Sequence, residues 1–278
     1  MRAILTVAHL TLQEASRRRI LLAALVCGVA FVALFGVGFH FIHRETLHNT
    51  ARSMIERRMV LTFFVMAGLY AVNFLTVMTA VLMPVDTLSG EIASGVMQTL
   101  ASKPIRRSAI VLGKWLAFAT IVTGYLVLMA GGILLVARVL AGFTPPHVEL
   151  GIPLMLLEGL VLMTLSIAGG TRFSTIANGI LVFGLYGLAF IGGWVEQIGT
   201  LAGNRAAASI GTFASLLMPG EALWQLAAWH MQPALMRDLH LTPFSPASVP
   251  STAMVIWAAA YGVVTLLVAI RQFARREL

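Results

Sequence analysis

Residues 89–114 read SGEIASGVMQTLASKPIRRSAIVLGK, a polar stretch lying between two long apolar runs at roughly Met59–Val85 and Trp115–Val136. Each run is near the ~20 residues that a helix needs to cross about 30 Å of hydrocarbon. Inside the polar stretch, Ser89 stands where a hydroxyl caps a helix, with Glu91 in its first turn. There both groups meet the unpaired N–H groups and the positive end of the dipole. Ile92, Val96, Met97 and Leu100 then share one face. Pro104 disfavours helical geometry in the residue before it, so the helix is predicted to stop near Ser102 and Lys103. Arg106 and Arg107 follow, and a second helical stretch from about Ser108 brings Lys114 to the membrane surface and Trp115 into the headgroup belt. The pattern of helix, break and helix entering the membrane predicts a basic knob presented to a partner in the aqueous phase.

Outward from this segment, composition puts the whole chain in a bilayer. Hydrophobic residues make up 59% and charged residues 11% of the sequence, and mean hydropathy is +0.90, far from the range of soluble domains. Apolar runs fall at roughly Ile20–Ile42, Met59–Val85, Trp115–Val136, Ile152–Gly170, Ile176–Val195 and Met254–Ile270. They predict six spans, the weakest being the fourth, which holds Glu158. The first run follows Arg17, Arg18 and Arg19, yet it is far longer than the apolar core of a signal peptide and lacks a small-residue cleavage site, so it reads as a retained anchor. The single cysteine, Cys27, lies in that span and reads as packing, with no disulfide or cysteine metal cage open to it. The predicted fold class is an all-α integral membrane protein, one transmembrane domain over residues 1–278.

Lys and Arg counts set the expected orientation. With the N-terminus inside, Arg2, Arg17, Arg18, Arg19, Lys103, Arg106, Arg107, Lys114, Arg172, Arg271, Arg275 and Arg276 face the cytoplasm, twelve of 19. The first outer loop runs against the rule with Arg44, Arg52, Arg57 and Arg58, but the Arg triplet before the first span dominates. A multi-pass protein of the cytoplasmic membrane with both termini inside is expected. The net charge of +8 then reflects retention on the inner side and contact with anionic lipid, not nucleic acid. Residues 1–19 are predicted to form an interfacial helix with Ile4, Leu5, Ala8, Leu12 and Ala15 on one face. The outer stretch 196–253 divides into two short amphipathic helices over 206–231, split at Pro219-Gly220 and lying on or dipping into the outer leaflet, and an extended Pro-containing linker. Trp194, Trp224, Trp229 and Trp257 are all expected at the outer face.

Several chemistries lack their signatures. Ser108 occupies the position where a phosphate-binding loop ending in Gly113-Lys114 needs its first glycine, and Trp115 stands where it needs Ser or Thr. His-Glu-x-x-His, Gly-x-Ser-x-Gly and clustered acidic residues are also missing. Seven His and fourteen Met raise copper, but Met in apolar spans is ordinarily packing material. Two polar residues within spans stand out as a candidate translocation path. Glu158 reads either as a polar point in such a path or as a carboxylate that snorkels or pairs with Arg138. Asn73 reads either as an interhelical hydrogen-bond partner or as a pathway residue.

The string Gly90-Glu91-x-x-x-Gly95, Leu100-x-Ser102-x-Pro104-Ile105-x-Arg107 and Leu112-Gly113-Lys114 resembles the segment between the second and third spans of ABC type-2 transporter permeases. Six spans, an N-terminal interfacial helix and short helices before the last span fit the same layout. The resemblance implies an export-type permease subunit, with 86–114 as a cytoplasmic coupling helix docked on a separately encoded ATP-binding-cassette ATPase. Two copies of the chain would pair with two ATPases. Gly90, Glu91, Gly95, Leu100, Ser102, Lys103, Pro104 and Arg107 become the ATPase-coupling residues. No catalytic residue, metal or cofactor falls to this chain, ATP and Mg belonging to the partner. Val96-Met97-Gln98 is more apolar than the family's charged stretch. Glu91 either meets a basic groove or complements its own helix dipole, Gly95 reads as a close backbone approach, and Arg106 and Arg107 meet protein or lipid phosphate. Two rival classes remain: a membrane-embedded lipid enzyme using Glu158 or His40, and an ion-coupled transporter, which sparse intramembrane charge supports poorly.

Overall fold

A computed structural model describes residues 2–48, 53–95, 106–238 and 248–276. Six helices are long and apolar enough to cross a membrane, and they coincide with the six apolar runs. They are α2 (Arg19–His48), α3 (Met54–Leu82), α5 (Arg107–Ala141), α6 (Val148–Gly170), α7 (Thr175–Leu201) and α11 (Thr252–Arg275). Among the described residues there is no strand, as expected where backbone polar groups must be satisfied without water.

Several helices outrun their apolar runs. Helix α2 has 30 residues and α5 has 35, about 45 and 52 Å at the helical rise, because charged residues beyond the hydrocarbon continue the helix. Helix α3 begins before the apolar stretch because Ser53 and Glu56 form a reciprocal cap. Ser53 Oγ accepts from the Glu56 amide at 3.2 Å, and Glu56 Oε2 accepts from the Ser53 amide at 3.0 Å.

The N-terminal helix α1 (Arg2–Ser16) packs along the start of α5. Its buried stripe is Ala8, Thr11 and Ala15, and Val7 and the Ile4 carbonyl press against Gly113, where an added Cβ would meet them at 2.6 and 2.9 Å. Leu5 is exposed, while the small side chains of the buried stripe allow the two helices to approach closely.

After α7 the chain turns at Gly203, φ +68°, and Asn204 caps α8 (Arg205–Leu217) by accepting from the Ala206 and Ala207 amides. Helix α8 runs back down along α7. A Cβ at Gly211 would lie 2.3 Å from Glu196 Cβ, and one at Gly192 would lie 2.4 Å from Ala214 Cβ. Helix α9 (Gly220–Met231) then returns along α6, with Gly220 beside Glu158 and Met231 against Gly151. The two helices form a re-entrant hairpin whose tip, near Met218 and Pro219, reaches the level of Glu158 midway along α6. This placement overturns the outer-face position expected for Trp224. Its ring is buried and lies 5.2 Å from that of Tyr70, since the inward-dipping α9 faces α3 and α6. A short helix, α10 (Ala234–Asp238), follows, and the rest of the expected linker lies mostly outside the described residues.

The core runs between α3, α5 and α6, with α7 and α9 packed on its sides. Helices α2 and α11 bury little, exposing rows such as Leu22, Val26 and Val29 or Val263, Val264 and Leu267.

The hairpin rests on backbone proximity at Gly211, where the Gly192 carbonyl stands 2.7 Å from an added Cβ and neither group can move aside. Gly211→Ala is expected to destabilise the protein by about 1–3 kcal/mol, seen as a lower melting temperature in detergent. Gly184→Ala, on α7 with nothing near its Cβ position, is expected to leave the melting temperature unchanged or slightly higher.

Candidate functional site

One end of the bundle gathers the exit from α3, the entry to α5, the turn between α6 and α7, and the end of α11. Pro84 has no amide proton to donate, so the second span breaks after Leu82 and resumes as α4 (Thr87–Ala93). The expected cap at Ser89 is corrected: the helix starts earlier, and Ser89 lies inside it. Its hydroxyl is 3.1 Å from the Val85 carbonyl and 2.9 Å from Thr175 Oγ1 at the head of α7. Thr175 in turn donates to Asp86 Oδ1 at 2.7 Å. Gly90 makes room for that carboxylate, since a Cβ there would lie 2.5 Å from Asp86 Oδ1.

Glu91 pairs within the chain, with a lysine that its sequence position did not suggest. Its carboxylate accepts from Lys114 Nζ at 2.5 Å, with the lysine side chain 4% exposed and the glutamate 15%. The pair joins α4 to α5 across 23 residues of chain. Lys114 is therefore buried within the protein. Trp115, expected in the headgroup belt, instead donates to Thr164 Oγ1 on α6 at 2.8 Å, because α5 is an interior helix here.

Helix α4 ends at Ala93, and the stop expected near Ser102 and Lys103 lies outside the described residues. Ser94 is exposed, and Gly95 adopts φ +76° with nothing within 4 Å of its Cβ position. Gly95 thus supplies a left-handed helix stop, because only glycine takes this conformation without a Cβ penalty. Leu100, Ser102, Lys103 and Pro104, with the rest of 96–105, lie outside the described residues.

Arg107, the first residue of α5, donates to the Ala274 carbonyl at 3.4 Å and to the Arg276 carbonyl. Arg276 donates to the Thr171 carbonyl, and Thr171 Oγ1 donates to Gln272 Oε1 at 2.9 Å. The guanidinium groups thereby answer carbonyls left open at the ends of α6 and α11. Just beneath, Asn178 Nδ2 donates to the Ser166 and Val85 carbonyls, and Ser166 Oγ donates to the Val81 carbonyl. These bonds stitch α3, α6 and α7 together.

A second polar cluster lies at mid-membrane. Asn73 Nδ2 on α3 donates to Glu158 Oε2 on α6 at 2.9 Å, and both side chains are buried. Glu158 neither snorkels nor reaches Arg138, which is exposed at the far end of α5; the inward side of α6 at its midpoint faces α3. Glu158 Oε1 and Asn73 Oδ1 have no hydrogen-bond partner among the described residues. Oε1 lies 3.4 Å from the Cβ position of Gly220, at the N-terminus of α9. Glu221, also buried, packs with Gln225 against Gly193.

The structure thus brings Gly90, Glu91 and Arg107 to one end and pairs Asn73 with Glu158. Sequence reading missed Asp86, Thr175 and Asn178, and missed Lys114 as the partner of Glu91. Asp86 alone had a local signal, an acidic residue just before a helix and after a proline. A family model described as "ABC-2 family transporter protein" matches residues 5–278. The chain belongs to the ABC-2 transporter family. It is accordingly a multi-pass membrane protein and a permease subunit of an ABC transporter. Among curated proteins, none matches the chain.

Removing one partner of a buried ion pair leaves a charge unanswered, at a cost of about 3–5 kcal/mol, whereas removing both is far milder. Lys114→Met is expected to lower unfolding stability in that range, and Glu91→Gln/Lys114→Met to recover most of the loss in a double-mutant cycle.

Proposed function

We propose that this permease subunit works as the membrane half of an exporter driven by a separate ATP-binding-cassette ATPase, which grips the tip of α4 and the 96–105 stretch beyond it. The single observation that carries this reading is the way α4 is held. A buried ion pair joins it to α5, a carboxylate–hydroxyl contact joins it to α7, and its far end at Ser94 is exposed. A push on that tip is transmitted to two spans at once, because the ion pair to α5 is buried and costly to break and the buried Ser89 hydroxyl also meets Thr175 at the head of α7. ATP and Mg²⁺ are bound by the partner, and this chain supplies the lever. In this reading two copies pair, both termini and the α4 end face the cytoplasm across the cytoplasmic membrane, and α2 and α11 meet lipid or the second copy.

Asn73 and Glu158 form the polar point of the translocation path. Their two unsatisfied oxygens lie beside the tip of the re-entrant hairpin, the irregular backbone that membrane proteins tolerate where it is buried or lines a cavity.

Two experiments test the reading. Ser94→Trp puts bulk on the exposed tip without touching a buried contact, so insertion and melting temperature should hold while ATPase co-purification and ATP-driven transport are lost. Normal binding and transport by that variant would overturn the coupling role. Glu158→Gln keeps an acceptor for Asn73, so it should leave ATPase binding intact and reduce transport; full transport removes Glu158 from the path.

A further inference from the structure

At the same end of the bundle, a cleft of about 440 Å³ opens between the turn after α6 and the end of α11, lined by Thr171, Arg172, Gln272, Arg275 and Arg276. We propose that this cleft binds the phosphate of an anionic lipid in the adjoining leaflet. Three of its five lining residues are arginines, and none is acidic. Arg276 is held in place by the Thr171 carbonyl, and Gln272 accepts from the Thr171 hydroxyl. Arg172 and Arg275 have no ion-pair or hydrogen-bond partner among the described residues, and both are exposed. Two free guanidinium forks facing one cleft suit a phosphodiester, whose oxygens accept paired N–H donors.

The ends of two helices converge here, and their C-terminal dipoles would repel an anion. That repulsion is relieved locally, because the Thr171, Ala274 and Arg276 carbonyls are already occupied by arginine donors. The site is therefore built as a cationic cleft despite lying at two negative helix ends.

A lipid fits better than free phosphate because of what leads away from the cleft. Val264 and Val268 lie on the same helical face as Gln272 and Arg275, and they are 58% and 42% exposed. Phe173, next to Arg172, is 43% exposed. An exposed apolar row running from the cleft along α11, with an aromatic ring at its head, gives acyl chains a surface that inorganic phosphate has no use for. The inference does not rest on the ATPase coupling proposed above.

The test uses the full chain in phosphatidylcholine nanodiscs containing phosphatidylglycerol, with retained lipid counted by native mass spectrometry. Wild type should retain phosphatidylglycerol in preference to phosphatidylcholine. Arg172→Gln/Arg275→Gln should bind it roughly thirtyfold more weakly, the equivalent of about 1 kcal/mol for each arginine. Val264→Gln/Val268→Gln, which keeps every arginine, should also retain less, and it carries the test if the arginine variant fails to fold. Unchanged retention by either folded variant, equal retention of both lipids by wild type, or displacement of phosphatidylglycerol by inorganic phosphate would each overturn a lipid site.

Discussion

A lysine ammonium that leaves water needs a carboxylate, and Lys114 finds Glu91. Desolvating both groups cancels much of their attraction, so the pair adds little net stability, yet losing one partner is expensive. Such a contact specifies an arrangement more than it strengthens one. Here it fixes where α4 lies against α5, while Thr175 and Asp86 fix it against α7. Arg107 and Arg276 extend the same logic to α6 and α11, drawing donors from one helix to carbonyls at the ends of others. The result is one end of a helical bundle where α4, α5, α6, α7 and α11 are tied to one another by side-chain contacts.

The opposite half of the membrane shows a different solution to the same scarcity of water. Helix α9 begins at Pro219, which offers no side-chain cap, so its first amides enter the protein interior unanswered by a hydroxyl or carboxamide. A carboxyl oxygen of Glu158 lies beside Gly220 at that helix end. Small residues at Gly192, Gly211 and Ala214 allow α8 to lie close against α7, where packing replaces the hydrophobic drive that lipid cannot provide. A polar residue near the middle of the fourth span and a short hairpin between the fifth and sixth are thus parts of one feature.

Much of the fold was legible because membrane insertion leaves a one-dimensional trace: a span must be long and apolar wherever it ends up. The apolar runs found all six spans, and Pro219-Gly220 marked the division between α8 and α9. Errors occurred where a residue's role depends on its neighbours in space. Gly95 is a left-handed stop that the sequence did not announce, and Gly90, four residues from Asp86 in the chain, makes a close approach. Trp224 and Trp115 carry the chemistry of headgroup anchors, yet helices that dip inward or sit inside the bundle turn both rings toward protein.

What the sequence determined by itself was the number of spans, the polar interruption after the second, and a residue order there resembling the family to which the chain belongs, since hydropathy and local order survive without coordinates. What tertiary structure decided was the partner of each buried polar group: Lys114 for Glu91, Thr175 for Asp86, Asn73 for Glu158. Those pairs are separated by 23 to 89 residues, and no local propensity reaches that far. A hydrogen bond or ion pair is made by atoms within about 3 Å, and only the packing of helices brings such distant residues to that range.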